Sequence, residues 1–264
     1  MKRYIVFLKQ VPASTKVGID PVTKTLKRSS ALTQTNPDDL YALQAALDLS
    51  RATGAEVVAV SMGPASAEEV LREALQCGAD RAILLSSPAF AGSDTWCTSL
   101  VLASAVRRIG EYDLLFFGRM AIDGDTAQVG PEVAGQLDIP QITCLSAIEN
   151  VSADRICVSR RVGNLTQRME VKTPCAVMVS RENGELASPT LSGWRRAQAQ
   201  EITRWSETDL GLDRSLIGLY ASPTKVVTTA VPQVTKNIRW LDGGGEVFAI
   251  IQSFVQPSFK IPIV

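Results

Sequence analysis

The sequence contains no histidine. That excludes Ser-His and Cys-His catalysis, imidazole ligation of a metal, and the usual proton shuttle near neutral pH. Cysteine is scarce and scattered: Cys77, Cys97, Cys144, Cys157 and Cys175 are odd in number and form no CxxC pair. A disulfide framework and a zinc site are therefore not expected, and a reducing cytoplasm fits this usage best. Net charge is also lacking, with 27 basic side chains against 27 acidic ones. No electrostatic grip on nucleic acid or on an anionic membrane follows from such a balance. No apolar run approaches the ~20 residues needed to cross a bilayer. The short apolar run in "MKRYIVFLKQVP" cannot form the core of a signal peptide and reads as a buried first strand.

What is present is an alternation of short apolar runs with helical patterns. "YIVFL", "EVVAVSM", "RAILLSS", "YDLLFFG" and "QITCLSAI" read as strands. Between them, "NPDDLYALQAALDLSRATG", "AEEVLREALQCG" and "SDTWCTSLVLASAVRRIG" read as helices. The first of these has Asn36 at the N-cap, Pro37 at the first position and Gly54 as its stop. This order predicts an α/β fold with a doubly wound, mostly parallel sheet of the Rossmann-like, adenine-nucleotide-binding type. After residue 150, "RICVSRRV", a Gly-Asn turn, "TQRMEVK" and "CAVMVS" read as antiparallel strands added to that sheet. From Ser188 no clear period remains. The expected division is an α/β domain over 1–187 and an extended C-terminal arm over 188–264, packed on another chain.

Ligands of doubly wound sheets gather beyond the carboxyl ends of the strands. At one such end stands "GRMAIDGDTAQVGPEVAGQLDIP". Gly118 and Gly124 permit close backbone approach, and Asp125 or Thr126 can cap the helix that follows. The free N–H groups of that helix, the Thr126 hydroxyl and the Gln128 amide are candidate donors to a phosphate. A capped helix after a tight turn explains the same residues without a ligand. Asp123 and Asp125 would repel a bare anion, but suit a ribose hydroxyl or an ordered loop. A second loop, "AFAGSDTW", has Gly92 for its turn, Ser93 and Asp94 as caps, Thr95 as a donor and Phe90 as a surface for a flat ring. "SMGP" adds Gly63 near an adenine or ribose. Together these loops favour an adenine nucleotide across the carboxyl edge. No nucleophile elbow, paired carboxylates or metal constellation accompanies them, which points to a structural ligand or a redox cofactor.

Over essentially its whole length the chain resembles the beta subunits of electron transfer flavoproteins. "KQVP", "NPDD", "GAD", "AIDGDTAQVGP", "PCAVMV" and "GLYASPTKV" carry the resemblance. It implies an alpha subunit partner that carries FAD. It also implies that this chain holds either AMP, as in plain electron carriers, or a second FAD, as in the electron-bifurcating group. "AIDGDTAQVGP" and "AFAGSDTW" are similar to the bifurcating group. The implied partners are then NADH, an acyl-CoA dehydrogenase-like enzyme, and ferredoxin or flavodoxin. By the same resemblance Asp123, Gly124, Asp125, Thr126, Ala127, Gln128, Val129 and Gly130 hold the diphosphate and ribose. Phe90, Ala91, Gly92, Asp94, Thr95 and Thr98 lie near the flavin, and Met62 and Gly63 near the adenosine half. Lys9, Asn36, Gly118 and Arg119 complete the implied site. Met120 stands where relatives usually carry a polar residue. Leu191, in "TLSGW", aligns with the hydrophobic anchor of a dehydrogenase-docking loop. Outside this family, the sheet would suit a nucleotide-hydrolysing or stress-type protein, but the early loops lack a phosphate-splitting constellation.

Overall fold

A computed structural model describes residues 3–13, 32–228, 240–241 and 244–255. Its centre is β1 (Arg3–Phe7), whose residues from Tyr4 onward are all buried. A strand covered on both faces reads as a continuous apolar run, which is the signature of a central parallel strand. On one side of β1 lie β4 (Glu56–Met62), β5 (Arg81–Leu85) and, at the edge, β11 (Thr203–Trp205). On the other side lie β6 (Leu114–Gly118), β10 (Cys175–Val179) and β7 (Gln141–Val151), followed by β8 (Arg155–Val162) and β9 (Leu165–Lys172). The nine-stranded order β11-β5-β4-β1-β6-β10-β7-β8-β9 makes this the doubly wound, mostly parallel α/β sheet that the alternation predicts.

Alternate side chains of β1 enter opposite cores. Tyr4 and Val6 pack with Leu43 and Leu47 of α1 (Pro37–Thr53) and with Leu71 and Leu75 of α2 (Glu68–Cys77). Ile5 and Phe7 pack with Val101 and Val106 of α3 (Thr95–Ile109) and Val133 of α4 (Val129–Leu137). Phe7 stacks on Phe117 with centroids 4.4 Å apart. Gly54 closes α1 in the left-handed conformation at φ 71, as its position in the sequence predicts. A small antiparallel pair, β2 (Gln10–Pro12) with β3 (Thr33–Thr35), links β1 to α1.

Two readings of the second half need correction. β10, expected as an antiparallel addition, is parallel to both β6 and β7 and sits between them. Its run "CAVMV" is wholly buried, which suits an interior strand. β7 is longer than "QITCLSAI" and is irregular at Cys144, a non-glycine residue at φ 55, where its register with β10 shifts. The β8–β9 hairpin then returns: the Thr173 N–H, just before β10, donates to the Asp154 carbonyl at 2.9 Å. Ile156 and Val158 thereby join the core on the α1 face.

The compact unit runs to Val227, so the residues after Ser188 contribute to it. α5 (Leu191–Ala199) is capped by the Thr190 hydroxyl and lies on α2, where Gly193 faces the Gln76 carbonyl with no room for a Cβ. The Arg72 guanidinium donates to the Gln200 carbonyl at 2.8 Å behind it. α6 (Gly218–Ala221) also belongs to this unit. Beyond Val227 a second unit contains α7 (Gly244–Val255). The parts of the expected arm at 229–239, 242–243 and 256–264 lie outside the described residues. Among the described residues no helix is long and apolar enough to cross a membrane.

Candidate functional site at the switch point of the sheet

The strand order reverses at β1, whose neighbours β4 and β6 lead to opposite halves of the sheet. The crevice beyond the carboxyl ends of β1 and β6 is the ordinary ligand position of such a sheet. Two segments form it: Leu8–Lys9 with the start of α1, and the loop 119–128 after β6.

Gly118 is essential to this arrangement. An added Cβ would stand 2.6 Å from the Asp38 backbone carbon and 2.7 Å from the Asp39 nitrogen. Its close approach is therefore to α1. Asn36 occupies the N-cap position of α1 but makes no side-chain capping bond. Fully buried, it turns to the loop instead: its Nδ2 donates to the Met120 carbonyl at 2.9 Å, and its Oδ1 accepts from the Ile122 N–H at 3.1 Å. Arg119 Nε lies 3.4 Å from Asp38 Oδ2, and Lys9 Nζ lies 2.6 Å from Asp123 Oδ1. Residues 119–123 thus form a stem held to α1 and to the end of β1.

The tip differs. Residues 124–128 are all exposed. Neither Asp125 nor Thr126 caps α4, which begins at Val129 with Gln128 in the N-cap position and no side-chain capping bond. The positive φ values of the tip belong to Asp125 (φ 50) and Ala127 (φ 53) rather than to Gly124. Left-handed backbone at non-glycine residues is a strained choice that clusters at functional sites. Ala127 is followed by right-handed Gln128 (φ −99, ψ −32). A left–right pair of this kind turns successive N–H groups to one side as an anion-binding concavity, here at the start of a helix. Gly130 lies past that concavity and serves packing, since an added Cβ would stand 2.9 Å from Met178 Cγ.

The second glycine-rich loop is not open. Phe90 is 5% exposed and its ring belongs to the core, so it offers no surface to a flat ligand. Gly92 (φ 73) faces Leu219, whose N–H donates to the Ala91 carbonyl at 3.1 Å. Asp94 caps α3 as predicted, accepting from the Cys97 N–H at 3.1 Å. Its other oxygen accepts from the Thr224 N–H at 2.9 Å and hydroxyl at 2.8 Å. Its own N–H donates to the Ser222 hydroxyl at 2.9 Å. "GLYASPT" therefore covers "AFAGSDT". Ser93 bonds back to the Phe90 carbonyl, and the Thr98 N–H continues α3 to the Asp94 carbonyl. Met62 and Gly63 end β4, where the Gly63 N–H is used by the Leu85 carbonyl at 3.0 Å.

Thr95 joins the two loops. Its hydroxyl lies 3.1 Å from both Gln128 Oε1 and Glu132 Oε1. Burial pushes the Glu132 carboxyl up, and its Oε2 has no hydrogen-bond partner. Burial also raises Asp39, to about 7, against the lowering effects of the Asn36 amide and the Lys9 N–H. Burial opposes ionisation of Asp94, but the Cys97 and Thr224 N–H groups hold its carboxyl below the usual range. Sequence reasoning placed neither Glu132 nor Asp39 in the site. The tandem aspartates of "NPDD" were the available signal for Asp39. An open concavity of about 660 Å³ beside Arg3, Glu56 and Arg81 lies at the opposite edge, where ion pairs already join those residues. Among the described residues no group of three or more His, Cys, Asp or Glu could hold a metal ion.

Comparison with known proteins agrees with this architecture. The sequence model of the electron transfer flavoprotein domain matches residues 23–210. The electron transfer flavoprotein subunit beta of Thermoanaerobacterium thermosaccharolyticum is 42% identical over 245 residues, 92% of this chain and 91% of that protein. Protein FixA of Azorhizobium caulinodans is 43% identical over 235 residues, covering 86% and 84%. Subunit CarD of the caffeyl-CoA reductase-Etf complex of Acetobacterium woodii is 40% identical over 246 residues, covering 93% and 91%. The chain belongs to the electron transfer flavoprotein family, as a beta subunit with a role in electron transfer.

Proposed function

We propose that the chain forms a heterodimer with an alpha subunit and holds FAD in the crevice at the switch point. In that complex, electrons from NADH pass both to an acyl-CoA dehydrogenase-type enzyme and to a low-potential acceptor such as ferredoxin or flavodoxin. The observation that carries this reading is the exposed tip 124–128, with left-handed Asp125 and Ala127 leading into α4. The residues present fit an adenine dinucleotide. The N–H groups at 126–128 and the Thr126 hydroxyl would hold its diphosphate, while Asn36, Gly118 and Arg119 fix the stem beneath. Gly63 and Met62, at the end of β4, would meet the adenosine half. FAD, when bound, supplies the redox chemistry, and the chain supplies position and electrostatics. No side chain is required as acid or base, in keeping with the absence of histidine.

Two surfaces belong to the same proposal. Leu191 (69% exposed) and Trp194 (48%) on α5 would dock the dehydrogenase. The residues beyond Val227 would pack on the alpha subunit.

A plain carrier with AMP as a structural ligand is the second reading. It is favoured by the burial of Phe90 and by the cover that "GLYASPT" places over its loop. Quantifying the nucleotides released from the purified heterodimer, after reconstitution with excess FAD, separates the two. Two FAD and no AMP per heterodimer are expected; one FAD with one AMP, unchanged by reconstitution, overturns FAD binding by this chain.

A further inference from the structure

The crevice wall carries three carboxylates, which is an unusual setting for a phosphate. Each is neutralised in a different way. Asp38 faces Arg119 at 3.4 Å. Asp39 is buried and raised to about 7 by that burial, so at neutral pH it is only partly charged. Asp123 has a side chain only 8% exposed, 2.6 Å from the Lys9 ammonium.

Lys9 is fixed at its backbone from both sides. Its N–H donates to Asp39 Oδ2 at 2.8 Å, and its carbonyl accepts from the Asn36 N–H at 2.9 Å. The ammonium therefore starts from a fixed point and ends on the last residue of the tied stem, next to the exposed tip.

We propose that Lys9 is a positioning residue that acts on the nucleotide through Asp123: it cancels the stem's carboxylate charge beside the crevice and makes no phosphate contact itself. This rests on the crevice being the nucleotide site. It converts a cation that resemblance places among the ligand contacts into the counter-ion of a wall. Asp125, in the exposed tip, needs no such partner because solvent screens it.

The test uses the full chain in complex with its alpha subunit, stripped of nucleotide and titrated separately with FAD and AMP. Lys9→Met removes the ammonium that faces Asp123, and should weaken binding by about tenfold or more. Asp123→Asn should bind at least as well as the wild type. The Lys9→Met/Asp123→Asn double variant should recover the Asp123→Asn affinity. Rescue of this kind is not expected of a purely structural tie.

Two outcomes overturn the proposal. A double variant still tenfold weaker than Asp123→Asn makes Lys9 a direct phosphate ligand. An Asp123→Asn variant as weak as Lys9→Met makes the pair a mechanical pin. If Lys9→Met does not fold, comparing the double variant with Asp123→Asn decides alone. A wild-type complex whose crevice takes up neither nucleotide overturns the site reading, and the proposal with it.

Discussion

Two loops that each carry glycine and aspartate end two strands of one sheet and have opposite fates. Loop 119–128 has a bolted stem and an exposed tip, whereas loop 87–94 is covered by residues 216–224 of its own chain. Both contain glycine and aspartate. What separates them is the partner each meets. Asp94 spends both oxygens on α3 and Thr224, while Asp125 and Thr126 leave the start of α4 uncapped. A loop already satisfied by its own chain is scaffold, and a loop whose N–H groups remain at the surface is available to a ligand.

The comparison can be broken most severely at Gly118. Gly118→Ala drives a methyl group into the backbone of Asp38 and Asp39, and should cost ~3 kcal/mol or more of stability. Thermal melting of Gly118→Ala beside Gly124→Ala checks this. Gly124 has nothing within 4 Å of an added Cβ, so its melting point should stay within a degree or two of wild type.

Next comes the cover. Gly218 adopts φ 75 and its Cβ position meets the Ala89 carbonyl. Gly218→Ala should cost ~1–3 kcal/mol and expose 87–94 to limited proteolysis, while loop 119–128 is unaffected.

Asp39 sharpens the electrostatic side. Its folded pKa of about 7 lies above the ordinary 3.8, so the folded chain binds more protons than the unfolded one between those values. Stability from this group is full below about pH 4 and is lost as pH rises toward 7. The groups acting on it are Asp38, which raises it, and Asn36 and Lys9, which lower it. Asp39→Asn should therefore be the more stable form at pH 8, by ~1–2 kcal/mol, with the gap closing by pH 4. Denaturant melts at the two pH values test the sign.

The smallest expected effect is at Thr126. A helix cap there would be worth about 1 kcal/mol, but Thr126 caps nothing in the structure. Thr126→Ala should leave stability within ~0.5 kcal/mol of wild type and lower nucleotide affinity. Loss of stability without loss of affinity would place the hydroxyl in the fold rather than in the site.

The parallel sheet was legible because its strands are short buried runs separated by helices with recognisable start and stop residues, as Pro37 and Gly54 mark α1. The position of β10 was not: strand order depends on long-range pairing, and "CAVMV" has the same pattern whichever neighbour it meets. The return of residues 191–205 to the sheet escaped for a similar reason. β11 has three residues, too few to show a period, and α5 presents only Gly193 and Ala197 as buried positions. In the site, the glycine at 118 and the loop after it were legible from composition. The turn of the Asn36 amide toward Met120 was not, because a capping residue and a tertiary strut look alike in sequence. Nor could "AFAGSDTW" reveal that "GLYASPT" would close it from more than a hundred residues away.

The central claim is that the tip at 124–128 receives the nucleotide and loop 87–94 does not. Amide hydrogen exchange on the alpha–beta complex, stripped and then reloaded with FAD, tests it most directly. The account predicts strong new protection at Thr126, Ala127 and Gln128, with the stem at 119–123 and the covered residues 89–94 unchanged. Protection appearing at 89–94 while the tip exchanges as before would contradict it.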